Sequence, residues 1–263
     1  IPCEKSLKEQ LEIMEEYTRV HKEGAELSKE SRELNCLNVL YPRMFRKIEP
    51  QDKIAGRLDF LPVGFGCVTS LGGVGNYCVF NKLRAFQAKL ENEEDKKRVD
   101  ALYDYWLDHD LKTIYCKEML TETTVGRFID PKYPLIATAR LSGMMLDYPK
   151  LLEKGIGGLR QEIFEKFKKD QDNEFYKAAL GCLDIFVNSA EALKQKALEQ
   201  SHEESGECKK ELLQMARVLE KIKTQKPETF QEALQLIWLY ALLSGVINYG
   251  RLDDYLGPYL VKD

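Results

Sequence analysis

Pro227-Glu228-Thr229-Phe230-Gln231-Glu232-Ala233-Leu234-Gln235-Leu236-Ile237-Trp238, then Gly250-Arg251-Leu252-Asp253-Asp254-Tyr255-Leu256-Gly257-Pro258-Tyr259, is the stretch that decides how this 263-residue chain is read. Thr229 has the chemistry of a helix N-cap, and Glu232 three residues later completes a capping box. The apolar run behind it predicts a helix.

Working outward toward the N-terminus, Ser205-Gly206-Glu207 separates a helix near residues 209–222 from a long helical tract over 148–200. That tract has a break expected near Asp170. Asp130-Pro131-Lys132-Tyr133-Pro134 interrupts the helices, and the apolar, small-residue segment 135–146 suits either a buried helix or a strand. Helical stripes cover Val79 to Leu90 and then Val99, Leu102, Tyr103, Trp106, Leu107 and Leu111. Residues 54–78 are poor in charge and punctuated by glycine, which predicts loops with one or two short strands. Near the start, Leu7, Leu11, Met14, Tyr17, His21 and Ala25 recur at helical spacing, giving an amphipathic helix over about 5–30. A second helix carries Leu34, Leu37, Val39 and Leu40 and should stop at Tyr41, because Pro42 disfavours helical geometry in the residue before it. The fold class is therefore mainly α with a few short strands.

Composition narrows the function. A 44% hydrophobic chain of this length can bury a substantial core. With 39 Lys and Arg against 43 Asp and Glu, interspersed, no basic patch points to nucleic acid or an anionic membrane. No window approaches the roughly 20 apolar residues of a membrane span. Ile1-Pro2-Cys3 offers neither an initiator Met nor an apolar signal region, so the chain is expected to begin inside a longer product. Seven cysteines without a C-x-x-C pair, and three histidines, leave little for a disulfide framework, a metal site or a His-based triad.

Gly73-Val74-Gly75 invites a dinucleotide reading, but Cys78 occupies the third glycine position and the fingerprint fails. Cys67 and Cys78 flank that loop and read as buried, inert thiols. Glu15-Glu16, Glu93-Glu94 and Glu203-Glu204 lie in charged helical stretches and read as solvated faces. Asp253-Asp254, beside Arg251 and among apolar residues, suits an ion pair or helix cap better than acid-base work.

The two quoted segments resemble the pyruvate formate-lyase-like region of glycyl radical enzymes. Leu146-Asp147-Tyr148-Pro149-Lys150-Leu151-Leu152-Glu153-Lys154-Gly155-Ile156-Gly157-Gly158-Leu159 is similar to that family's aspartate-tyrosine, leucine, glycine pattern, and Ile54-Ala55-Gly56-Arg57 is a weaker match. The resemblance implies a partial domain over 1–263, supplying the N-terminal helical shell and early elements of a ten-stranded α/β barrel. In such enzymes a radical stored on a backbone glycine passes to a cysteine, whose thiyl radical acts on the substrate. None of the seven cysteines or 17 glycines here lies in a match to either radical loop. The expectation is therefore no catalytic residue and no bound cofactor or metal in this chain, with the glycyl radical belonging to the intact parent.

Register against the family places Gly143, Gly245 and Val246 at substrate-pocket positions, where its polyol dehydratases carry His and Ser. The same three residues also suit ordinary core and turn packing. Small residues there argue against a glycerol- or choline-type substrate, because a hydroxyl needs a partner, and they do not establish pyruvate. Arg251 and Asp253 are read as a structural ion pair. The implied setting is an anaerobic cytoplasm, with a radical S-adenosylmethionine activating enzyme as partner, a small-molecule substrate, and a homodimer as candidate assembly. The rival reading is a non-catalytic helical module that keeps the scaffold for binding or architecture.

Overall fold

The computed structural model describes residues 3–68, 73–110, 113–114, 117–118, 121–122, 145–246 and 248–260; the side chains of 66–68 and 73–76 are not described. In chain order the described elements are α1 (Leu7–Glu23), α2 (Lys29–Leu40), β1 (Val63–Val68), β2 (Gly73–Cys78), α3 (Phe80–Gln87), α4 (Glu93–His109), α5 (Tyr148–Phe167), α6 (Glu174–Glu203), α7 (Gly206–Ile222), α8 (Phe230–Ser244) and α9 (Leu252–Leu260). The protein is mostly helical, as its periodicity predicts. Segment 135–146 falls outside the described residues except for Met145 and Leu146.

Local chemistry sets the boundaries. Ser6, Ser28, Asn92, Asp147 and Asn173 each cap a helix by accepting a backbone N–H of the first turn. The first helix stops earlier than its apolar stripe suggests: α1 ends at Glu23 and a 3-10 turn over Gly24–Glu26 leads into α2. Ser28 explains the difference, since its hydroxyl caps a new helix by accepting the Ser31 N–H at 3.1 Å. α2 ends at Leu40, just ahead of Tyr41 and Pro42. Strands β1 and β2 pair antiparallel, with Val63 opposite Cys78 and Gly66 opposite Gly75.

A continuous hydrophobic core runs through α1, α2, β1, α4 and α5 to α9, with Trp106, Tyr17, Tyr148 and Phe45 among its largest fully buried side chains. α6 and α7, joined by a short link, pack along each other. The irregular segment between α2 and β1 is tied to this frame by two glutamines. Gln200 accepts the Ile48 N–H and donates to the Ile48 carbonyl at 3.1 and 2.8 Å. Gln235 does the same for Ala55 at 2.7 and 2.9 Å. Each side-chain amide thus completes buried backbone groups that no strand partner serves. Among the described residues, no helix is long and apolar enough to cross a membrane.

Candidate functional site

The four sequence segments quoted above are brought together along α8. That helix starts in the expected capping box: Thr229 Oγ1 accepts the Glu232 N–H at 3.3 Å, and Glu232 Oε2 accepts the Thr229 N–H at 3.2 Å. Lys221 lies 2.9 Å from the same carboxylate. Ahead of the cap, the link from α7 is crossed by α5. Gly155, at φ 62° and ψ 179°, interrupts α5 with a backbone conformation essentially confined to glycine. A Cβ there would lie 2.7 Å from the Lys226 nitrogen, and one on Gly157 would lie 2.2 Å from the Thr224 carbonyl oxygen. The spaced glycines of the third segment are thus the price of bringing two backbones together.

At its other end α8 closes on Gly245, which adopts the left-handed conformation (φ 66°, ψ 15°) that stops a helix. The Gly245 and Val246 N–H groups return to the Leu242 and Ala241 carbonyls, each at 3.2 Å. Val246 is buried. Beyond it, Tyr249 stacks between Trp238 of α8 (centroids 6.5 Å apart, planes at 6°) and Tyr148 of α5 (6.1 Å, 8°). Tyr148 also stacks on Tyr255 of α9 at 5.3 Å. The phenols do not face an open site: Tyr148 donates to the Asn248 carbonyl at 3.3 Å and Tyr255 donates to that of Tyr249. Trp238 reaches the fourth segment, where a Cβ on Gly56 would lie 2.8 Å from its Nε1.

Electrostatically the phenols beside the link after α8 are held in their neutral form. Burial, aided by neighbouring phenols, pushes the Tyr148 hydroxyl well above its ordinary range, and burial likewise raises Tyr249 and Tyr255. All three stay protonated at neutral pH, and Tyr148 and Tyr255 use the proton as donors. Arg251 makes a two-pronged pair with Asp253 at 2.9 and 2.6 Å, which raises the guanidinium and lowers the carboxyl. Both side chains are highly exposed, so the pair contributes little to stability. Gly143 lies outside the described residues. Burial pushes the Cys36 and Cys78 thiols up to about 12, and Cys182 also rises. Among the described residues no cluster of His, Cys, Asp or Glu could hold a metal.

A groove of about 710 Å³ opens between α2, α5, α6 and α8, floored by Leu34, Leu37, Leu159, Ile163, Phe186 and Leu243. It reaches Ser244, and Gly245 and Val246 do not line it. The aromatic stack escaped the sequence reading although each member stands inside or beside a quoted segment. Aromatic residues recurring next to the aspartate-tyrosine and glycine-arginine patterns were the available signal.

The pyruvate formate lyase-like family model matches residues 3–263. The chain belongs to this family. It is 27% identical over 197 residues to a probable dehydratase, YbiW, of Escherichia coli, covering 65% of this chain and 23% of that protein. It is also 27% identical over 197 residues to the (2S)-3-sulfopropanediol dehydratase of Klebsiella oxytoca, covering 67% of this chain and 24% of that one. Among solved structures, the glycerol-bound B12-independent glycerol dehydratase of Clostridium butyricum shares the fold, with a TM-score of 0.70 and 20% identity over 96% of this chain and 36% of that one. This member of the pyruvate formate lyase-like family therefore spans about a quarter of the length of the curated relatives it matches. Dehydratases recur among them.

Proposed function

We propose that this chain is the N-terminal scaffold of a glycyl radical enzyme whose intact form removes water from a small hydroxylated substrate. The observation that carries the reading is that the four family segments pack on one another along α8: Gly155 and Gly157 meet the 224–226 link ahead of it, while Tyr148, Tyr249 and Gly56 gather around Trp238. In this reading residues 1–263 form part of a larger domain, contributing shell helices and early elements of the family's α/β barrel. The exposed Phe60, Phe175 and Leu260, with the apolar groove beside α8, are the kind of surface that further polypeptide covers.

The chemistry belongs to the intact enzyme: a thiyl radical takes a hydrogen atom from the substrate, the neighbouring hydroxyl leaves with a proton as water, and the product radical takes a hydrogen atom back from the thiol. The radical starts on a glycine, installed by a radical S-adenosylmethionine activating enzyme in an anaerobic cytoplasm. The role of this chain is to set the link after α8, where Gly245 and Val246 are the candidate pocket positions together with Gly143. The small residues at these positions argue for a substrate whose hydroxyls are bound from elsewhere in the parent. The likeness to a sulfopropanediol dehydratase and to a glycerol dehydratase does not support excluding a polyol, so glycerol-type substrates stay open in this reading.

The test uses the full-length protein carrying this sequence, activated anaerobically and offered glycerol and (2S)-3-sulfopropanediol. A glycyl radical doublet in electron paramagnetic resonance, with loss of water from one substrate, is the expected result. Absence of the doublet in a folded, fully reconstituted preparation would leave the non-catalytic module as the better reading.

A further inference from the structure

Resting on that reading of the pocket, we propose that Tyr148 is a positioning residue that fixes the link between α8 and α9, so that substrate affinity in the intact enzyme depends on it. Tyr148 begins α5, is fully buried, and reaches the link in two ways. Its ring stacks on Tyr249, which Trp238 covers from α8. Its hydroxyl holds the Asn248 carbonyl at 3.3 Å, while the Asn248 side chain accepts the Gly250 N–H at 2.9 Å. Two further contacts close the arrangement: Tyr255 holds the Tyr249 carbonyl, and Met145 packs so tightly on Gly250 that a Cβ there would fall 2.1 Å from its sulfur.

Residues 248–250 are therefore held from α5 and α9 as well as by their own Asn248–Gly250 bond. Gly245 and Val246 are tied to α8 by their own N–H groups, so a shift of residues 248–250 changes where the chain leaves that cap.

Two variants separate the parts. Tyr148→Phe keeps the ring and removes the hydroxyl, whereas Tyr148→Leu removes both. In hydrogen exchange followed by mass spectrometry, peptides covering 244–251 should exchange about two- to tenfold faster in Tyr148→Phe. The increase should be about tenfold or more in Tyr148→Leu, with peptides from α1 and α4 unchanged in both. In the activated full-length enzyme, Tyr148→Phe should raise KM for glycerol or (2S)-3-sulfopropanediol by about two- to tenfold, with kcat within about twofold and the radical doublet intact. Wild-type exchange over 244–251 in Tyr148→Phe, or a fall in kcat at unchanged KM, overturns the proposal. If Tyr148→Leu does not fold, Tyr148→Phe and Tyr255→Phe carry the exchange test. A wild-type enzyme without the doublet overturns the family-level function instead, and the exchange result then decides on Tyr148 alone.

Discussion

The packing of α1 on α4 and the packing of α5 on α8 use different material. In the first, side chain meets side chain. Trp106 is fully buried, donates to Thr18 Oγ1 at 2.9 Å, and lies 6.0 Å from the Tyr17 ring and 4.9 Å from that of His21. His21 faces Tyr105, whose hydroxyl is 2.8 Å from Nδ1, and His109, with Arg32 of α2 nearby. In the second, aromatic rings and glycines hold backbone. A side-chain core can be filled by many residue sets of similar volume, whereas a backbone approach admits few.

The sharpest way to break the comparison is Trp106→Ala, which should cost about 3–5 kcal/mol in chemical denaturation, because a large cavity opens and Thr18 loses a donor. A cost below about 1 kcal/mol would show that the N-terminal packing is not cooperative with the rest.

Acid acts on the same region. Burial is the main reason that the His21 pKa falls from 6.5 to about 4, with Arg32 and His109 adding to it. The unfolded chain therefore takes the proton first: stability is level above pH 6.5, declines as pH falls toward 4, and is level for this group below that. The full effect is about 3 kcal/mol. His21→Gln should flatten this part of the pH profile, and an unchanged slope would remove His21 as its source.

In α5, Gly155→Ala should destabilise by about 1–3 kcal/mol through backbone strain alone, and by more if the 224–226 backbone cannot move. Thermal melts would reveal it, and a neutral result would mean that the α5 kink is not needed. The smallest effect belongs to Arg251→Ala, which should leave the melting temperature within measurement error because its pair with Asp253 lies in solvent. A clear loss there would give the glycine-arginine pattern a structural weight that its exposure denies.

Much of this was readable in advance. Thr229 and Glu232 form the expected capping box, helix ends fall at Tyr41 and near Asp170, and residues 63–78 supply the short strands. What periodicity could not supply was the partner of each stripe. His21 lay on the apolar face of α1, yet nothing local said that His109 would stand beside it. Tyr148 stood in the aspartate-tyrosine pattern, yet nothing local said that it would stack on Tyr249. The glycines of α5 stood in the quoted aspartate-tyrosine, leucine, glycine pattern, and their physical use appears only once residues 224–226 arrive alongside.

Gln200 and Gln235 have a consequence for how the length of this chain can vary. They peg the backbone at Ile48 and Ala55, leaving between them a turn in which the Asp52 N–H bonds the Glu49 carbonyl at 2.9 Å. Extra residues inserted between the pegs would lengthen a surface loop without moving either end. The same insertion just after Ala55 would pull Gly56 off Trp238. Lys53 is held by Glu211 and Gln231 and Asp52 by Arg57, so the exposed tip at Pro50 and Gln51 is where an epitope or a spectroscopic label can be spliced in with least disturbance.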